Sequence, residues 1–144
     1  MIYFVDEDRE YLQEFTVPLK LRGHEVETVL DADDAFEILE KVEDAEIVVI
    51  DIMLATDTSN KSRFNRADTD DFMQTGLLLM RYLMDARPDL FPKKFVVLTA
   101  ASQAKLLKAI GDFCPRHKIE VMRKTDYPSP VELADKIESL LAET

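Results

Sequence analysis

Apolar residues recur along the chain in two patterns that alternate. Short unbroken runs, mostly β-branched, fall at residues 2–5 ("IYFV"), 47–50 ("IVVI") and 94–100 ("KFVVLTA"). Such runs favour strands buried on both faces. "EVETVL" (25–30) alternates as a second strand, and "IEVMRK" (119–124) is a weaker fifth. Between the strands, apolar residues return at helical spacing. Tyr11, Leu12, Phe15 and Leu19 predict a helix to about Leu21, kinked or shortened at Pro18 and stopped by Gly23. "DADDAFEILEKVE" (31–43) predicts another, with Asp33 or Asp34 as cap, and a third begins near Gly76. Leu106, Leu107, Ile110 and Phe113 mark a fourth, with Ser102 as expected cap. The last has Ser129-Pro130-Val131-Glu132, a capping box with proline at the first helical position, followed by Leu133, Ile137, Leu140 and Leu141 on one face. Strand and helix alternating five times predict one α/β domain over residues 1–144, its parallel sheet covered on both sides by helices.

One segment breaks the rhythm. Between Asp51 and Gly76 the chain is polar, with mixed charges and no sustained apolar period. Loops of that length are uncommon inside a compact domain.

Composition narrows the function. The net charge of -11 argues against a nucleic-acid grip, which needs a basic stripe. It is compatible with carboxylates gathered around a divalent cation. No apolar run is long enough for a membrane span, and the N-terminus lacks the features of a signal peptide, so a cytoplasmic location is expected. Cys114, the only cysteine, reads as a packed apolar residue.

In an open parallel sheet the carboxyl ends of the strands share one edge, and ligands bind there. After the first strand come Asp6, Glu7 and Asp8; the third ends at Asp51, the fourth at Thr99 and the fifth at Lys124. Clustered carboxylates repel until one takes a proton or a cation neutralises them. Mg²⁺ suits an oxygen site with one or two carboxylates. A carboxylate so placed can attack phosphorus, with Lys124 offsetting phosphoryl charge and Thr99 donating a hydrogen bond.

"IYFVDED", "VVIDIML", "VVLTA" and "VMRK" resemble, in order and placement, the signature blocks of the response regulator receiver domain. The resemblance covers the chain outside residues 55–75 and implies a flavodoxin-like (βα)5 fold with strand order 2-1-3-4-5. It implies that Asp51 is the phosphoacceptor, with Asp6, Glu7, Asp51 and the backbone carbonyl of Met53 holding Mg²⁺ or Mn²⁺. Thr99 would be the switch hydroxyl and Lys124 the partner of the phosphate. Asp8 is either a further ligand or the cap of the first helix. The implied donor is a phosphohistidine on a histidine kinase or phosphotransfer protein, and the expected protein is a stand-alone relay, not a turnover enzyme. Several positions depart from the family pattern. Glu7 stands for an aspartate, Thr125 for the proline after the lysine, Val121 for an aromatic, and Ala55 for a proline after the acceptor. Met53 and Ala101, each two residues beyond a site residue, orient water poorly, which predicts slow loss of the phosphoryl group.

The inserted loop, about residues 55–75, reads mostly as a solvated excursion. A lid, or a docking surface presenting Lys61, Arg63, Phe64 and Arg66, is the functional alternative. The competing reading of the whole chain is a receiver-fold interaction module that is not phosphorylated. An aspartyl-phosphate hydrolase needs a second acid where Met53 stands, and a flavin carrier needs a Ser/Thr/Gly-rich phosphate loop where "DEDRE" stands. His24 and His117 are isolated and read as surface or turn residues.

Overall fold

A computed structural model describes residues 1–56, 62–70, 72–90 and 94–143. Five parallel strands form one sheet in the order β2-β1-β3-β4-β5. They are β1 (Ile2–Val5), β2 (Val26–Val29), β3 (Ile47–Ile50), β4 (Phe95–Thr99) and β5 (Glu120–Arg123). The three central strands are buried along their whole length, and β2 and β5 are half-exposed edges. That is why the central runs are unbroken in sequence and the edge strands are weakly signalled.

Alternate strand residues feed two separate cores. Tyr3, Val5, Val48, Ile50, Phe95 and Val97 face one side, packing with α3 (Ala32–Leu39), α4 (Thr75–Ala86) and α5 (Ala104–Arg116). Ile2, Phe4, Ile47, Val49, Val96, Leu98 and Met122 face the other, under α1 (Arg9–Phe15), α2 (Val17–Leu21) and α6 (Pro130–Ala142). Among the described residues no helix is long and apolar enough to cross a membrane. Cys114 is buried, and that burial pushes its thiol up to about 11.

Several expected boundaries move. The first helix breaks at Thr16, whose hydroxyl donates to the Leu12 carbonyl, and Pro18 then lies in the first turn of α2, where its missing N–H costs little. The cap of α3 is Asp31, which accepts from the Asp34 N–H at 2.8 Å, and not Asp33 or Asp34. The expected 31–43 helix stops at Leu39. Arg87 closes its end by donating to the Leu39 and Val42 carbonyls. Ser102 does not cap α5; Gln103 holds that position and makes no side-chain cap bond. The capping box of α6 forms as the sequence predicts.

The described part of the inserted loop is not a solvated excursion. Phe64 is buried to 2% exposure and sits against Tyr82, which meets Phe36 edge-on. Asp33, spared from capping, accepts from the Ser62 hydroxyl at 2.9 Å and the Arg63 N–H at 3.1 Å. Thr69 is fully buried, and Lys105 on α5 pairs with Asp70. The segment therefore packs onto α3 and α4 and pairs with α5. Phe64 is a core residue and cannot present a docking surface; Arg63 and Arg66 remain exposed, and Lys61 lies outside the described residues.

Candidate functional site

Strand register brings the predicted acids together. Val5 pairs with Ile50, so Asp6 and Asp51 leave the sheet side by side, and the Asp51 N–H donates to the Val5 carbonyl at 2.9 Å. Thr99 pairs with Arg123, which sets Lys124 just past the same edge. The Lys124 ammonium donates to Asp6 Oδ2 at 2.7 Å and to Asp51 Oδ2 at 3.5 Å. Residues from the first, third and fifth strands thus meet at one ammonium.

The remaining carboxylate oxygens are held by backbone. Asp6 Oδ1 accepts from the Asp8 N–H at 2.9 Å, and Asp51 Oδ1 accepts from the Ile52 N–H at 2.7 Å. Asp8 itself caps α1, accepting from the Tyr11 N–H, so of its two expected roles the structure shows the cap. Thr99 is buried at the end of β4, its Oγ1 accepting from the Ala101 N–H at 3.1 Å. Glu7 is exposed at the rim. The side chain of Met53 packs against the larger core, which leaves its carbonyl as the group it has to offer.

The charges are poorly compensated. Asp51 is pushed from the ordinary 3.8 up to about 6, first by burial and then by Asp6, with Lys124 and the Ile52 N–H pulling the other way. Glu7 is raised as well, by desolvation and then by Asp6 and Asp8. Burial works against the charge on Lys124, but its bond to Asp6 and the fields of both aspartates outweigh this and raise it. Among the described residues no group of three His, Cys, Asp or Glu side chains is gathered as a ready metal cage. The donor set still fits a hard dication that completes its shell with carbonyl, water and phosphoryl oxygens, as Mg²⁺ does. Two buried carboxylates sharing one ammonium leave an excess of negative charge that such an ion would relieve.

Gly76 keeps this edge tight. A Cβ there would stand 2.4 Å from the Asp51 carbonyl oxygen and 2.7 Å from Ile52 Cα. The Gly76 N–H also donates to the Ile52 carbonyl at 2.7 Å, tying α4 to the residue that follows Asp51. Sequence periodicity assigned Tyr11 to a helix face and gave it no part in the site. Its ring lies under the Lys124 ammonium, 4.2 Å from centroid to nitrogen. No local pattern marks such a contact, because Lys124 is remote in sequence.

No protein-family model matches the sequence, and no curated protein matches it. Solved structures do. A CheY-like response regulator receiver domain protein from Methanospirillum hungatei superposes with TM-score 0.66 at 20% identity, over 99% of this chain and 93% of that one. The chain has the receiver fold. The receiver domain of NtrX from Brucella abortus gives TM-score 0.65 at 21% identity, with 100% of both chains covered. A response regulator from Burkholderia pseudomallei, solved with a phosphorylated aspartic acid, a calcium ion and citrate, gives 0.56 at 18%, over 96% of this chain and 70% of that one. The observed strand order is the one the resemblance implied.

Proposed function

We propose that this receiver-fold domain works in response-regulator signalling, accepting a phosphoryl group on Asp51 from a phosphohistidine on a histidine kinase or phosphotransfer protein. The observation that carries the reading is the convergence of Asp6, Asp51 and Lys124, with Lys124 at 2.7 and 3.5 Å from the two carboxylates, at the sheet edge where receiver-like folds bind ligands. With Asp51 at about 6, the carboxylate form predominates at neutral pH and is the nucleophile. An Asp51 oxygen forms the new bond to phosphorus as the phosphorus–nitrogen bond of the donor breaks, and the imidazole leaves with that electron pair. Lys124 then meets the charge on the phosphoryl oxygens, and Thr99 turns its hydroxyl from acceptor to donor.

Asp6, Asp51 and the Met53 carbonyl would hold Mg²⁺ or Mn²⁺, with Glu7 joining through water. When bound, the ion would neutralise charge on the phosphoryl oxygens. The added charge of about -1.5 to -2 would then compete for Lys124 and bias the loops after β4 and β5.

The test is mass spectrometry of the intact chain after treatment with a small phosphodonor and Mg²⁺. A single phosphoryl adduct that is lost in Asp51→Asn supports the reading. No adduct on folded wild type would leave the competing one, an interaction module that is not phosphorylated. That alternative draws on Val121, 40% exposed on the edge strand where receivers carry an aromatic.

A further inference from the structure

Lys124 stands in an exposed setting for a residue that must hold one position. It opens a single 3₁₀ turn, Lys124–Asp126, at the end of an edge strand, and its neighbours Arg123 and Thr125 are exposed. Four rotatable bonds separate its ammonium from that backbone. The Lys124 side chain is nevertheless only 14% exposed. Asp6 and Asp51 accept from it, which leaves the side that faces α1.

Tyr11 closes that side. Its ring lies 4.2 Å from the ammonium, face-on to the charge. Behind it, Phe15 stacks at 4.2 Å with the planes 18° apart, and Asp8 Oδ1 fixes the Tyr11 backbone N–H. Phe15 in turn packs against the core under α1 and α6. The Tyr11 hydroxyl, by contrast, is buried without a hydrogen-bond partner, the one such side-chain atom among the described residues. A phenol that gives up its hydration and gains no bond is held there by its ring, not by its hydroxyl.

We propose that Tyr11 is a positioning residue of the site, its ring face holding the Lys124 ammonium against Asp6 and Asp51. The inference rests on the reading of Asp51 as phosphoacceptor, and it adds a residue that the sequence assigned to packing. A desolvated cation over an aromatic face is attracted by the ring quadrupole, and the attraction needs the ring, not the oxygen.

The experiment uses the full chain with Mg²⁺ and a small phosphodonor, comparing the wild type with Tyr11→Phe, Tyr11→Leu and Tyr11→pentafluorophenylalanine. The last keeps the shape of the ring and reverses the charge of its face, so it separates position from packing. Tyr11→Phe should be phosphorylated within about twofold of wild type, and the other two on the order of tenfold more slowly. In a Lys124→Ala background the Tyr11 changes should add nothing, since the ring acts through the amine. Proton NMR supplies a second readout. The Lys124 methylene next to the ammonium should be shifted upfield by the ring in wild type and Tyr11→Phe, and released in Tyr11→Leu. Rates that match wild type in the fluorinated variant, or a Tyr11→Leu defect that persists without Lys124, would overturn the proposal. If wild type takes no phosphoryl group, the acceptor reading fails instead, and the methylene shift still decides whether the ring holds the amine.

Discussion

Two glycine-to-alanine changes should move stability in opposite directions, and the structure says by how much. At Gly76 the new methyl would meet the Asp51 carbonyl oxygen at 2.4 Å, Ile52 Cα at 2.7 Å and the Ile52 carbonyl oxygen at 3.1 Å. All three are backbone atoms of the segment that carries the proposed acceptor, so no flexible side chain can yield. Overpacking of this kind costs about 1–3 kcal/mol. Retreat of α4 would also weaken the bond from the Gly76 N–H to the Ile52 carbonyl, about 1 kcal/mol. Alanine's helix propensity returns about 1 kcal/mol. The net is a loss of about 2 kcal/mol, or roughly 4–8 °C in Tm for a domain of this size. At Gly111, inside α5, a Cβ meets nothing within 4 Å, so only the propensity acts, and Gly111→Ala should gain about 1 kcal/mol. Urea unfolding of both variants beside wild type measures the difference, about 3 kcal/mol. Phosphorylation by a small donor should slow in Gly76→Ala and not in Gly111→Ala, because the Ile52 N–H that holds Asp51 Oδ1 moves only in the first. Equal stability for the two variants would refute the argument from close approach.

Removing the charge at Asp51 should stabilise the metal-free protein. Its folded pKa is raised from 3.8 to about 6, so the folded state holds a proton that the unfolded chain has released, and stability falls as pH rises through that window. Above it the full loss, about 3 kcal/mol, is present; Asp51→Asn in chelator should recover most of it at pH 7 and flatten the profile, and a profile that keeps its slope would contradict the assignment. Phe64→Ala should cost about 3–5 kcal/mol by chemical denaturation, whereas a cost near zero would mean that the inserted segment is not part of the core. Met53 is packed into the core and Ala101 is buried, so neither orients an attacking water. The phosphoryl adduct should therefore persist in Mg²⁺, and loss within seconds, followed by mass spectrometry, would count against this.

The central strands were legible because burial on two faces leaves continuous apolar runs, and those runs end at the residues that matter; the strand order came from the family resemblance. Asp6, Asp51, Thr99 and Lys124 could each be placed at one sheet edge from the strand-end rule alone, and the structure sets two of them, Asp6 and Asp51, around the ammonium of a third, Lys124. What local pattern could not supply was partner choice. Asp31, Asp33 and Asp34 are equivalent in a window reading, and only the packed insertion shows why Asp33 turns to Ser62 and Arg63 while Asp31 caps the helix. The described part of the inserted segment was misread at Phe64 for a related reason: it has no helical or strand period, yet a buried phenylalanine and the buried Thr69 anchor it while residues 65–68 stay exposed. Tyr11 was hidden by its own regularity, since an aromatic on a helix face satisfies the core pattern without revealing what crosses its ring.

The tie between residue 6 and residue 124 also orders the birth of the molecule. During synthesis the first and third strands emerge with their carboxylates long before the amine that answers them. The acidic edge therefore lacks its ammonium until the fifth strand docks, and the proposed phosphoacceptor corner is completed last. A nascent chain halted before that strand should take up a phosphoryl group far more slowly than the full domain.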